Sequence, residues 1–229
     1  MRPILGFVVK FKKAKIMTIK FFTFEGGEGS GKSTQAKLLN KAFEDAKIDV
    51  LLTREPGGTD SAEKIRELLL HSDSSFYPLT ELLLHNASRV EHAKTKIIPA
   101  LRKKQTVICD RFVDSSMAYQ GYGHKLGKKI PALLHNLLME GLVPDLTFVL
   151  DITPEEGLRR AKASTGKHDN YEKLDLDFHA RVRSGFLEIA DMAKNRCVVL
   201  SATNKIENIH HNIIDIVNAA TGLSLKPAF

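Results

Sequence analysis

Apolar residues follow two patterns along this chain, and the patterns alternate. Short, nearly continuous apolar runs at 19–24, 50–53, 106–109, 146–151 and 197–200 have the length and the β-branched and aromatic content of buried strands. Between them, apolar positions recur at helical spacing: Ala36, Leu39, Phe43 and Ala46 form one face of a helix. The same reading predicts helices over 61–70, over a long stretch 79–103 bent or stopped near Pro99, over 130–140, from Pro154 at a favoured first-turn position, over 174–194 and over 205–219. Such alternation predicts an α/β fold, a central parallel sheet of about five strands flanked by helices. No repeat or linker divides the chain, so 17–220 reads as a single domain and 221–229 as a tail. The polar, glycine-bearing stretch STGKHDN at 164–170 predicts a mobile lid over about 162–172.

Composition narrows the function classes. The 229 residues suffice for one sizeable core, and no apolar run is long enough to span a membrane. Cys109 and Cys197 lie in apolar stretches and read as small core residues of a reducing cytoplasm, with no disulfide framework or CxxC metal pattern. The net charge of +7 suggests nucleic acid until its distribution is considered. Arg2, Lys10, Lys12, Lys13 and Lys15 stand in 1–16 without an acid, so the rest of the chain is nearly balanced and a nucleic-acid partner is not expected. Met17 directly precedes the first strand, so 1–16 is expected to be a basic extension or an upstream-start artefact. A short secretion signal is the alternative, against which basic residues follow the apolar part and no cleavage site is clear.

The candidate chemistry begins where the first strand ends. Residues 24–34 read FEGGEGSGKST and fit G-x-x-x-x-G-K-[ST] through Gly26, Gly31, Lys32 and Ser33. Glycines let backbone N–H groups turn inward around phosphate oxygens, Lys32 can reach the β- and γ-phosphates, Ser33 can bind Mg²⁺, and the following helix points its positive end at the same charge. A GTPase would carry N-K-x-D; the nearest stretch, NKIE at 204–207, has Glu in place of Asp and lies near the end. Motor and ABC-type ATPases are longer and need partner motifs that are missing here. A second set of charges, Arg54-Glu55, Arg66, Arg89, Asp110-Arg111 and Arg159-Arg160, suits two phosphorylated substrates facing each other, as in a small nucleotide kinase. Plainer readings stand beside this. Arg54 and Glu55 pair with each other, Arg66 is a solvated helix charge, Arg89 pairs with Glu91 or another helix residue, and Tyr119 is core packing. His124, His135, His168, His179, His210 and His211 show no ligand spacing and read mostly as surface histidines.

From Met17 to about Ala219 the chain resembles the bacterial thymidylate kinases, the dTMP kinase family, through EGGEGSGKST, TREPGGT at 53–59, DRFVDSSMAYQG at 110–121 and PDLTFVLDITPEEGLRRA at 144–161. The resemblance implies a P-loop nucleoside-monophosphate-kinase-like three-layer sandwich that transfers the γ-phosphoryl group of Mg-ATP to dTMP, giving dTDP and ADP for dTTP synthesis. It places Gly26, Gly27, Glu28, Gly29, Ser30, Gly31, Lys32, Ser33 and Thr34 around ATP, with Arg160, Lys167 and Thr203. Glu55, Arg66, His85, Arg89, Arg111, Ser116, Tyr119 and Gln120 fall around dTMP, and Ser33 and Asp110 beside magnesium. Lys32, Glu28, Arg111 and Arg160 match its catalytic groups. It also implies a cytoplasmic homodimer, with helix 79–103 a plausible contributor to the interface. Two departures stand out. Positions 27–30 are Gly-Glu-Gly-Ser without arginine, so the lid is expected to supply the missing charge; Arg160 is the strongest candidate, and whether Lys167 contributes, or these cations merely end a solvated helix, stays open. His85 stands where the family has a phenylalanine stacked on thymine; either His85 stacks instead, or the alignment slips, or a neighbour such as Phe112 fills the space. The rival functions are another nucleoside-monophosphate kinase, which would lack REPGG, and an inactive nucleotide-binding protein, which would lack one of Lys32, Ser33, Asp110 and Arg111.

Overall fold

A computed structural model describes residues 20–71, 75–165 and 170–229. Five parallel strands, β1 (Phe21–Glu25), β2 (Val50–Arg54), β3 (Thr106–Asp110), β4 (Leu146–Asp151) and β5 (Cys197–Ser201), form one sheet in the order β2-β3-β1-β4-β5. The predicted strands lie within one or two residues of these. The helices are α1 (Lys32–Asp45), α2 (Asp60–His71), α3 (Pro78–His92), α4 (Ile98–Arg102), α5 (Val113–Ser116), α6 (Lys129–Met139), α7 (Pro154–Thr165), α8 (Leu176–Met192) and α9 (Ile206–Thr221).

Alternation along the strands builds a core on each face of the sheet. Phe22, Phe24, Ile108 and Phe148 point to the face covered by α1 and α9, where Leu39, Phe43 and Ile213 meet them. Phe21, Val107 and Cys109 point to the other face, with Phe112. Burying each such side chain contributes roughly 1.5–3 kcal/mol. Thr23 and Thr147 satisfy each other across β1 and β4 with a 2.8 Å hydrogen bond, which removes the penalty of two buried hydroxyls. The central strand β1 runs between β3 and β4, so the strand order reverses there. The crevice beyond its carboxyl end is where ligands bind in such sheets.

Three expectations need correction. The 79–103 helix does not stop at Pro99: α3 runs through a π-helical stretch, Ala93–Ile97, into α4, which continues past Pro99 to Arg102. A second π-helical stretch, Met117–Gly123, follows α5; a search at 3.6-residue spacing misses it. His135, His179 and His210 are buried, not at the surface. Each finds an apolar or hydrogen-bonding niche: His135 lies edge-on to Phe112, His179 Nε2 bonds the Tyr171 carbonyl, and His210 accepts from Ala228 N–H. The last residues are packed down, with Leu225 and Ala228 buried and Asn218 bonding both backbone groups of Leu225. The expected extension at 1–16, and Lys167 and His168 of the expected lid, lie outside the described residues; 162–165 belong to α7.

Candidate active site

The phosphate loop joins β1 to α1. Gly26 and Gly29 have φ of 136° and 62°, which other residues adopt only with strain. A Cβ on Gly29 would come within 2.0 Å of the Gly157 carbonyl, and one on Gly157 within 2.4 Å of the Glu28 carbonyl. Two facing glycines therefore let α7 touch the loop. That brings Arg160, one turn on, to the edge of the cleft, where its Nε bonds Glu156 at 2.7 Å and its Nη1 donates to the Ala202 carbonyl at 2.8 Å. Arg159 also binds Glu156 but stays exposed. Thr203 follows Ala202 at the surface, its hydroxyl 2.8 Å from that of Ser201.

The cleft over this loop has a volume of about 520 Å³. Lys32 curls onto its own loop, with Nζ 2.7 Å from the Gly27 carbonyl and 3.2 Å from Ser30 Oγ. Burial, aided by Arg111, pulls its ammonium down to about 8, and the Glu28, Asp110 and Glu25 carboxylates oppose the shift. The Ser33 hydroxyl touches the Asp110 carboxylate at the end of β3. These are hard oxygen donors of the kind Mg²⁺ takes. Among the described residues no group of three or more His, Cys, Asp or Glu side chains could hold a metal, so the donor set fits an ion sharing its shell with phosphates and water.

Arg111 is the hinge between the two halves of the cleft. Its backbone is left-handed, φ 68°, and its N–H donates to the Phe24 carbonyl at 2.9 Å. Its guanidinium donates to Gly26 O at 2.9 Å, Ser115 Oγ at 3.2 Å, Glu28 Oε1 at 3.0 Å and Tyr119 Oη at 3.1 Å. Tyr119 also donates to Glu28 and lies under the guanidinium. Burial alone would raise the Glu28 carboxyl, but the Arg111 and Lys32 charges outweigh it and hold it down at about 2.

On the far side, Arg89 and Glu55 form a buried pair at 2.7 Å. His92 Nδ1 lies 3.1 Å from the other Glu55 oxygen, and Thr53 Oγ1 lies 2.7 Å from His92 Nε2. Glu55 thus orients Arg89, while Arg54 pairs with Glu63; the expected Arg54–Glu55 and Arg89–Glu91 pairs do not form. Arg89 Nη2 donates to the Phe112 carbonyl at 3.1 Å. Arg89 Nη1 and Ser116 Oγ are buried without a hydrogen-bond partner, and both residues line the cleft. Buried polar atoms are seldom left so; two together in a cleft wall suit a ligand with carbonyl and N–H groups. Arg66 Nη1 donates to the Pro56 carbonyl at 2.8 Å. His85 and Gln120 also line the cleft, as does Phe112, so histidine and phenylalanine both contribute to the wall.

The structure therefore gathers Glu28, Gly29, Gly31, Lys32, Ser33, Thr34, Glu55, Arg66, His85, Arg89, Asp110, Arg111, Ser116, Tyr119, Gln120 and Arg160 around one cleft. Gly26, Gly27 and Ser30 act from behind, holding Arg111 and Lys32. Sequence reasoning missed Glu25, the fully buried acid before Gly26. It accepts from Phe112 N–H at 2.8 Å and Ser115 Oγ at 2.6 Å, and burial with the nearby Asp114 charge pushes its carboxyl up to about 8. An acid at the carboxyl end of a central strand was the available signal. Gly157, Glu81 and Tyr171 were also missed.

Comparison with known proteins agrees with this geometry. The family model described as thymidylate kinase matches residues 24–213. Curated thymidylate kinases include one from Kosmotoga olearia, 43% identical over 194 residues (85% of this chain, 93% of the relative), and one from Wolbachia pipientis subsp. Culex pipiens, 46% identical over 201 residues (86% and 95%). The crystal structure of thymidylate kinase from Ehrlichia chaffeensis superposes with a TM-score of 0.71 at 37% identity, covering 87% of this chain and 98% of that one. With a loop that cradles phosphates, a neighbouring wall with unpaired polar groups and this breadth of similarity, the chain belongs to the thymidylate kinase family, whose reaction is the phosphorylation of dTMP to dTDP by ATP.

Proposed function

We propose that this cleft phosphorylates dTMP, with ATP on the α1 side and dTMP between Arg111 and Arg89. The observation that carries this reading is the bridge made by Arg111. It is tied to the phosphate loop through Gly26 and Glu28 and to the second wall through Tyr119 and Ser115, so a donor and an acceptor phosphate meet at one guanidinium. Backbone N–H groups from Gly29 to Thr34 cradle the donor, and Lys32 leaves the Gly27 carbonyl for its phosphates. Arg66 and Arg111 align the acceptor phosphate, Arg89 Nη1 and Ser116 Oγ meet the polar edge of thymine, and Tyr119 crowds the sugar. Gln120 completes that wall. The acceptor is already an anion and needs little help from a base, so positioning and charge neutralisation do the catalytic work. Ser33 and Asp110 would hold Mg²⁺, which when bound neutralises charge on the donor phosphates. Arg160 supplies positive charge beside the loop, assisted by Lys167, and Thr203 flanks the adenine.

We also read 17–220 as one kinase unit with a lid at about 162–172, acting in the cytoplasm in a dTTP-forming sequence. Among the described residues no helix is long and apolar enough to cross a membrane. Homodimerisation is supported by apolar residues left exposed at helical spacing, Leu79 and Leu83 on α3 and Ile130, Leu133 and Leu137 on α6. An ADP-release assay with dTMP, dUMP, dCMP and dGMP tests the function. Turnover with dTMP in preference to the others is expected, and activity only in its absence defeats the reading.

A further inference from the structure

His85 gives the cleft wall a ring that can change protonation and flip. A chain of hydrogen bonds behind it suppresses both. His85 Nε2 lies 2.7 Å from the Tyr171 hydroxyl. That hydroxyl donates to Glu81 Oε1 at 2.7 Å and lies 3.1 Å from Gln120 Nε2. Glu81 also accepts from Gln120 Nε2 at 2.7 Å and faces His124 Nε2 at 3.3 Å. Burial works against ionisation of Glu81, but His124, Gln120 and Tyr171 together hold its carboxyl below the ordinary range.

With Glu81 ionised, these bonds fix the direction of the His85–Tyr171 contact. A carboxylate only accepts, so the single phenolic proton goes to Glu81 and the phenolic oxygen is left to accept. Gln120 brings an amide N–H to that oxygen, and His85 must bring the other N–H. His85 therefore carries a proton on Nε2. Burial and the Arg89 and Arg111 charges push its imidazolium down to about 4 against the pull of Glu81 and Glu55. Tyr171 is itself fixed, buried edge-on against Tyr119 at 5.1 Å, with its carbonyl bonded to His179 Nε2 at 3.1 Å. A flip of the imidazole would set a C–H against the phenolic oxygen and lose the bond.

We propose that Glu81 and Tyr171 are positioning residues for base recognition, locking His85 as a neutral Nε2–H ring of fixed orientation against the pyrimidine of the bound nucleotide. The relay supplies by hydrogen bonding the order that packing alone gives a phenylalanine. It rests on the cleft being the dTMP site.

The test uses the full chain. Two-bond ¹H–¹⁵N spectra of the ligand-free protein are expected to show His85 wholly as the Nε2–H tautomer, and Tyr171→Phe and Glu81→Gln to show mixed or averaged tautomers. Tyr171→Phe, which keeps the ring against Tyr119, is expected to raise KM for dTMP about 3- to 10-fold, the range of one hydrogen bond, with kcat and KM for ATP within about twofold. In a His85→Phe background the same change is expected to add nothing. An Nδ1–H tautomer in the wild type, an equal rise in KM for ATP, or an undiminished effect of Tyr171→Phe in the His85→Phe background overturns the proposal. Absence of dTMP turnover in the wild type would instead overturn the reading of the cleft, because the spectra report the tautomer without substrate.

Discussion

The two halves of the cleft are built in opposite ways. The half proposed to hold the donor is built around one contiguous loop, 26–34, with α7 and the end of β3 beside it, and its polar groups are turned on neighbours: Lys32 onto Gly27, Arg160 onto Glu156 and Ala202, Ser33 onto Asp110. The acceptor half is assembled from β2, α3, α5 and the π-helical turn after it. Its charges are locked by long-range partners, and buried valences are left over on Arg89 and Ser116. Phosphate, large and highly charged, can pull flexible cations from weak internal bonds. A neutral base cannot, so the groups that read it must already be in place.

The largest expected effect breaks the locked half. Glu55→Leu leaves the Arg89 charge buried and unpaired and should lower stability by about 3–5 kcal/mol in urea unfolding. Lys32→Ala probes the phosphate-loop half and should do the reverse. Activity falls about 10²- to 10³-fold in an ADP-release assay, while thermal unfolding stays within a degree or two or improves, since a buried ammonium is removed.

Acid should act through buried histidines. Burial lowers His85, in the cleft wall, and His135 and His210, outside it, from the ordinary 6.5 to about 4. The unfolded chain binds more protons between those values, so their contribution is complete above about 6.5 and is lost as pH falls toward 4. At pH 5.5 each should cost roughly 1–1.5 kcal/mol; Glu25, raised to about 8, opposes this by binding its proton in the folded chain, so the cost is read as a fall of the wild-type urea midpoint relative to His85→Gln and His135→Gln variants. Glu28, at about 2, starts to act only below its ordinary 4.5, which separates the two windows. The smallest effect sharpens the contrast: Ser116→Ala removes an unpartnered buried hydroxyl. It should leave stability unchanged or raise it by about 1 kcal/mol, while KM for dTMP rises a few-fold.

The same contrast governs what could be read from the sequence. The phosphate loop was legible because its physics is local: glycines, lysine and hydroxyl act within a dozen residues of one another. The five strands were legible because burial on both faces writes continuous apolar runs. Apart from the resemblance, Arg89 and Glu55 were legible only as isolated charges, and His92 was not singled out at all. Their pairing joins segments more than 30 residues apart, and nothing in the composition of α3 distinguishes a buried arginine from a solvated one. The buried histidines failed for a related reason. Imidazole is hidden or exposed according to a partner supplied elsewhere, as the Ala228 N–H is for His210. The π-helical turns escaped because their side chains do not repeat at helical spacing.

The facing glycines of the loop and α7 also have a mechanical consequence. With no β-carbon on Gly29 or Gly157, the loop and α7 meet as bare backbone, with no side chain to yield between them. Two surfaces meshed in this way move as gear teeth do. A tilt of α7 toward the loop therefore presses directly on the Glu28 carbonyl, so a closer approach of Arg160 by that route displaces the backbone that carries the loop's acid.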